Sequence, residues 1–161
     1  MRQEEIDEII RKQREFFESG KTLDVEYRIN ALRHLRHIIA RHEKEIDEAL
    51  KKDLGKGPME GYMCETGMVL SELSYMIKHT AAFAREKNVI TPLAQFASRS
   101  FVKPSPYGVT LVMSPWNYPF MLTLDPLVDA LAAGNTAVVK PSAYSPNTSE
   151  VIDKIIGECF D

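Results

Sequence analysis

The sequence predicts an α/β chain in which a helical N-terminal part leads into a βαβ unit. Three observations predict it. Residues 1–52 carry 24 of the 43 charged side chains and residues 88–149 only five, so the first part reads as solvated helices and the later part as a buried sheet. Apolar residues recur at steps of three and four through the first half. Two continuous apolar runs, Gly108–Met113 and Asn135–Val139, are separated by about the length of a helical crossover.

The elements follow in order. Ile6, Ile9, Ile10, Phe16 and Phe17 mark a first amphipathic helix, ended by Ser19-Gly20. From Tyr27 to Leu50, Ile29, Leu32, Leu35, Ile39, Ile46 and Ala49 keep one face, with His42 in the gap, and predict a single second helix. After the break Gly55-Lys-Gly-Pro58, the stripe Met59, Met63, Thr66, Leu70, Leu73, Ile77 and Ala81 predicts a third helix reaching about Glu86. Residues 88–98 read as a loop around Thr91-Pro92, and residues 99–103 as a short strand. The run Gly108–Met113 is a strand covered on both faces, as in parallel sheets. Residues 118–133 form the crossover helix, closed by Gly134 at a C-cap position, and the second buried strand follows. Ser145-Pro146 supplies an N-cap and a first-position proline for a last helix, Asn147 to about Phe160. The expected organisation is a helical segment over 1–87, a loop and edge strand over 88–107, and a βαβα part over 108–161.

Composition bounds the function classes. With 161 residues, 44% of them hydrophobic, the chain can bury one core, since ~150 residues bury roughly 68–70% of their unfolded surface. A net charge of -3 without a dense Lys/Arg block argues against a nucleic-acid partner. The start has no apolar signal core and no stretch reaches the ~18 apolar residues of a membrane helix, so a cytoplasmic chain is expected. Cys64 and Cys159 lie far apart and suit reduced thiols. His34, His37 and His42 sit among Arg33, Arg36 and Arg41 with no cysteine near. A zinc site needs three or four converging ligands, and no metal is expected. Glu65 and Glu72, one heptad apart, read as a solvated helix face.

Ligands of open α/β sheets bind at the carboxyl ends of strands. Both ends here carry unusual residues, Ser114-Pro-Trp-Asn117 and Lys140-Pro-Ser142. The first turn has no glycine, which excludes a G-x-G-x-x-G fingerprint and a Walker loop. From the residues alone, Asn117, whose direction Pro115 and Pro119 restrict, reads as a cap for the following helix. Lys140 alone reads as a strand-end lysine reaching water.

The stretch Pro106-Tyr-Gly-Val-Thr-Leu-Val-Met-Ser-Pro-Trp-Asn-Tyr-Pro-Phe120, with Ala132-Ala-Gly-Asn135 and Val139-Lys-Pro-Ser142, resembles the aldehyde dehydrogenase superfamily. The Trp-Asn-Tyr-Pro form and the three-helix start resemble its class 3 branch, of which this chain corresponds to the N-terminal third. The resemblance implies an incomplete aldehyde dehydrogenase-like fold, with 108–161 as the first βαβα part of a Rossmann-like NAD(P)-binding domain. It implies that a Cys thiolate attacks an aldehyde to give a thiohemiacetal and then a thioester, and that the Asn117 amide donates to the oxygen that becomes negative. A fixed donor of that kind is worth ~10²–10³ in turnover, about 2.7–4 kcal/mol. It further implies that Met113, Ser114, Pro115 and Trp116 lie along the cofactor and that Lys140 holds the adenosine ribose, with Ser142 and Ala143 beside it. Many members carry Glu where this chain has Ala143. Its loss removes a hydrogen bond to NAD and a repulsion against the 2′-phosphate of NADP, so either cofactor is expected, with a lean toward NADP tolerance. The family's nucleophilic Cys, general-base Glu and Gly-rich cofactor turn have no counterpart in residues 1–161. Cys64 and Cys159 read as small buried hydrophobes, and this segment alone is not expected to turn over. The implied partners are an aldehyde substrate and, for the full-length enzyme, a second copy in a homodimer. The alternative is a non-catalytic helical association module that retains a βαβ scaffold. A Gly-rich turn and a Cys encoded in frame beyond Asp161 would support the enzyme, and a stop codon the module.

Overall fold

The computed structural model describes residues 2–160. Helix α1 (Gln3–Glu18) is followed by α2 (Val25–Arg41) and α3 (Glu43–Leu54). Thus the predicted helix over Tyr27–Leu50 is two helices. They break at His42 (φ -98°, ψ 10°), whose N–H is shared between the Ile38 and Ile39 carbonyls at 3.1 Å each. The buried His42 ring sits between Glu45 and Glu158, with nitrogen–oxygen distances of 3.3 and 3.0 Å. The apolar face stays in phase across the break, which is why spacing alone did not reveal it.

The third helix is also irregular. A short turn α4 (Pro58–Gly61) passes through a π-helical turn, Tyr62–Thr66, into α5 (Gly67–Phe83). The wider turn shifts the register, so Met59 and Met63 are exposed and Ala81 lies outside, while Glu65, Thr66, Val69 and Leu73 form the buried face. Gly67 permits this geometry: a Cβ there would stand 2.7 Å from the Tyr62 carbonyl oxygen.

Strand β1 (Lys87–Val89) pairs antiparallel with β2 (Ser100–Val102), Asn88 opposite Phe101. The expected edge strand is therefore half of an exposed hairpin whose other half lies where a loop was expected. A three-residue Lys-Asn-Val strand carries too little periodicity to read.

The βαβ unit forms as expected. Strands β3 (Val109–Met113) and β4 (Thr136–Lys140) pair in parallel, Val109 beside Thr136 and Met113 beside Lys140, with α6 (Met121–Ala133) as the crossover and α7 (Pro146–Cys159) after β4. Coverage of the strands is less complete than predicted. Helix α1 crosses only their amino ends, where Thr136 Oγ1 donates to the Gln13 carbonyl at 3.3 Å, and within β3 only Val112 is buried. Leu111 and Met113 stay exposed.

Gly134 ends α6 at φ +92°, and a Cβ there would lie 2.6 Å from Arg28 Cζ. Buried Arg28 donates to the Leu23 and Ala132 carbonyls at 3.0 and 3.4 Å, which ties α2 to the end of the crossover helix. One hydrophobic cluster joins Leu32, Leu35 and Ile39 of α2, Ile46 and Leu50 of α3 and Val69 and Leu73 of α5 to Phe120, Leu124 and Val128 and to Ile152 and Ile155 of α7. Each such side chain, fully buried, contributes ~1.5–3 kcal/mol. The core therefore lies between the N-terminal helices and the βαβ helices. No described helix is long and apolar enough to cross a membrane.

Candidate functional site at the strand carboxyl ends

The parallel register sets the two unusual turns side by side. Beyond the Met113–Lys140 pair, the Ser114 N–H still reaches the Lys140 carbonyl at 3.3 Å. The Ser114 hydroxyl meets Thr123 Oγ1 at 2.5 Å, and Thr123 Oγ1 donates to the Pro119 carbonyl, so residues 114–120 fold back on the first turn of α6. Phe120 is fully buried and anchors the turn in the core.

Opposite this turn stands a pair that spacing did not identify. Glu65 is fully buried, a correction to its reading as solvated. Its Oε2 accepts the N–H groups of Phe120 and Met121 at 2.8 and 3.1 Å, and its Oε1 accepts from Lys56 Nζ at 2.5 Å. Lys56 also donates to the Asn117 carbonyl at 3.1 Å and lies 4.1 Å from the Tyr118 ring centroid. The carboxylate that caps α6 thus comes from the π turn. The signals available were a glycine inside a helical stripe and a lone carboxylate beside its apolar positions.

Asn117 itself is exposed. Its carbonyl is held by Lys56, and no described residue hydrogen-bonds its side-chain amide. The helix-cap reading is therefore not what the structure displays, because Glu65 satisfies the helix N–H groups. Met113, Pro115 and Trp116 are exposed around it, with Trp116 at 53%.

On the second turn the Lys140 ammonium is exposed and Ala143 presents an exposed methyl. Ser142 is buried: its Oγ accepts the Tyr144 N–H at 3.2 Å, and its carbonyl accepts the Ser149 hydroxyl at 3.0 Å. The predicted Ser145 cap is absent, since its hydroxyl donates to the Ser142 carbonyl. Pro146 does stand at the first helical position. The cap comes from Asp53 of α3, which accepts the Asn147 and Thr148 N–H groups at 3.2 and 2.7 Å and their side chains at 2.7 Å each. Burial pushes the Asp53 carboxyl up, but these hydrogen bonds outweigh it and leave it below its ordinary value.

Helix N-termini after strands are the usual phosphate sites of such folds. Here both are occupied by carboxylates, that of Glu65 on α6 and that of Asp53 on α7. Along this edge Met113, Pro115 and Trp116 are exposed, and so is Lys140, whose Nζ lies 3.4 Å from the Pro141 carbonyl.

The remaining candidates lie elsewhere. Cys159 packs against the core, and burial pushes its thiol up to about 12. Cys64 is half-buried on the π turn. His34 and His37 face outward. Glu72, half-buried, faces Asp129 and Asp125, so it too departs from a solvated face. A surface depression of about 290 Å³, lined by Phe17, Tyr107 and Val109, sits at the opposite, amino end of the strands.

The family model for the aldehyde dehydrogenase family matches residues 1–160. The chain belongs to the aldehyde dehydrogenase family. It is 42% identical over 146 residues to the 4,4'-diaponeurosporen-aldehyde dehydrogenase of Staphylococcus aureus, covering 91% of this chain and 32% of that relative. It is 40% identical over 157 residues, 97% of this chain and 34% of the relative, to the dimeric NADP-preferring aldehyde dehydrogenase of Canis lupus familiaris. Relatives named as family 3 member A2, such as that of Rattus norvegicus at 35% identity over 94% of this chain and 31% of the relative, agree with the class 3 resemblance. A solved substrate-bound Staphylococcus aureus aldehyde dehydrogenase superposes with a TM-score of 0.94 at 40% identity, over 97% of this chain and 34% of that one. The chain spans about a third of the length of the curated relatives it matches.

Proposed function

We propose that this chain forms part of an NAD(P)-dependent aldehyde dehydrogenase that converts an aldehyde to a carboxylic acid, with Asn117 as oxyanion donor. The observation that carries the reading is the free, exposed Asn117 amide on a turn whose backbone is pinned by Lys56 and whose helix is capped by another residue. Such an amide suits an oxygen that gains charge during reaction. Residues 1–87 act as the helical support and 108–161 as the first βαβα part of the cofactor domain. Met113, Pro115 and Trp116 line the cofactor, Ser114 and Ser142 shape the two turns, Lys140 donates to the ribose, and Ala143 leaves room for a 2′-phosphate. NAD(P)+, when bound, supplies the two-electron oxidant.

In the covalent step a Cys thiolate adds to the aldehyde carbon, the carbonyl π pair moves to oxygen, and Asn117 Nδ2 donates a hydrogen bond to that oxygen. Neither cysteine of this chain suits the attack, Cys159 because its thiol is held protonated. The reading therefore takes the nucleophile from the part of the family's length that residues 1–161 do not span. The NADP-preferring, dimeric canine relative supports NADP use and a homodimer for the complete enzyme.

Aldehyde-dependent reduction of NAD+ and NADP+ tests the reading. The complete enzyme that carries this segment is expected to catalyse it, and residues 1–161 alone are not. Turnover by residues 1–161 alone would contradict a nucleophile supplied from outside them, and a stop codon after Asp161 would favour the association module instead.

A further inference from the structure

We propose that Lys56 and Glu65, both outside the βαβ unit, are positioning residues that set where the Asn117 amide points. The inference rests on the reading of Asn117 as oxyanion donor. Its observation is independent of it: one buried ion pair binds the backbone on both sides of Pro119. Glu65 takes the N–H groups of residues 120 and 121, while Lys56 takes the carbonyl of residue 117 and lies over the ring of residue 118. The Asn117 side chain is left free, so the donor is aimed through its main chain.

Two irregularities of the chain bring these charges together. Lys56 follows Gly55, which leaves α3 in the left-handed region at φ +71°. Glu65 lies in the π turn that Gly67 permits, and π turns concentrate at functional sites. Stability alone is a weak reason to keep such a pair, because a buried ion pair is often no more stabilising than apolar residues of similar volume. Geometry is a stronger reason. An oxyanion donor works within 2.7–3.1 Å of its target, and a misplacement of ~1 Å can cost ~10²-fold.

The double variant Lys56→Met/Glu65→Gln discharges the pair, keeps both side-chain sizes and leaves an oxygen for the two helix N–H groups. In the complete enzyme it is expected to fold, to keep the KM for aldehyde and the affinity for NAD(P)+, and to lose on the order of 10-fold or more in kcat. Added to Asn117→Ala, it should cost little further kcat, because it acts through the donor already removed. Lys56→Gln, which keeps a neutral donor near Asn117, gives a milder loss of the same kind and serves if the double variant does not fold. An unchanged kcat in the folded variants beside a low kcat for Asn117→Ala overturns the positioning role and leaves the donor reading standing. An equal loss with and without Asn117 also overturns it, as a general structural effect. Normal kcat in Asn117→Ala itself overturns the donor reading instead.

Discussion

Ala143 and Asp125 carry the residue-scale consequences. Ala143 is exposed at the second turn, three residues past Lys140, the last residue of β4, whose exposed ammonium meets only the Pro141 carbonyl at 3.4 Å among the described residues. If Lys140 holds the adenosine ribose, Ala143→Glu in the complete enzyme sets a carboxylate against the NADP 2′-phosphate. Kd for NADP+ should rise more than Kd for NAD+, by roughly tenfold for each 1.4 kcal/mol of repulsion. An unchanged ratio of the two would remove Lys140 and Ala143 from the cofactor site. Asp125 tests a different property. Burial first, then Glu72 and Asp129, push its carboxyl up from 3.8 to about 6. The folded state therefore holds a proton that the unfolded chain releases, and stability falls as pH rises between about 4 and about 6. Asp125→Asn should raise stability at pH 7 by about 1–2 kcal/mol after allowance for screening. The gain should shrink as pH falls through that window in thermal melts. A gain that persists at pH 4 would assign it to packing.

At the scale of elements, the sequence made plain what is local and hid what is tertiary. The turn 114–120, the parallel strands, the Gly134 cap and Pro146 were legible because each is written within a few adjacent residues. The caps of α6 and α7 were not, because Glu65 and Asp53 reach them from 55 and 94 residues away. Glu65 was misread for a further reason: the π turn rotates the stripe, and a helical template of constant period assigns the wrong face. Asp53→Ala should cost about 0.5–2 kcal/mol, the usual worth of a helix cap. Because the Asp53 carboxyl is held below its ordinary value, that contribution is present above the unfolded pKa of about 3.9 and fades as pH falls below it. Urea melts at pH 7 and pH 3 check this, and equal differences at both would contradict it.

For the whole molecule, the asymmetry of surface is the main fact. Ile90, Leu93 and Phe96 of the hairpin loop are 87–96% exposed, Tyr107 and Tyr144 are similarly open, and Leu111 and Met113 face outward from β3. Apolar patches beyond a few hundred Å² favour association. A preparation of residues 1–161 should therefore sediment as oligomers or aggregates and bind an apolar-surface dye, and a monodisperse, dye-silent monomer would contradict this. Both the helical support and the βαβ unit were expected from sequence, and one core with them, but not which faces meet in it, since periodicity shows which face is apolar without showing what it meets. The central claim is that this support holds Asn117 as a donor to developing negative charge. Its most direct measurement is kcat and cofactor Kd of Asn117→Ala in the complete enzyme, with Asn117→Asp alongside. Turnover should fall by ~10²–10³ in Ala and further in Asp, with cofactor affinity nearly unchanged. Near-normal turnover with only a lowered melting temperature would contradict the claim.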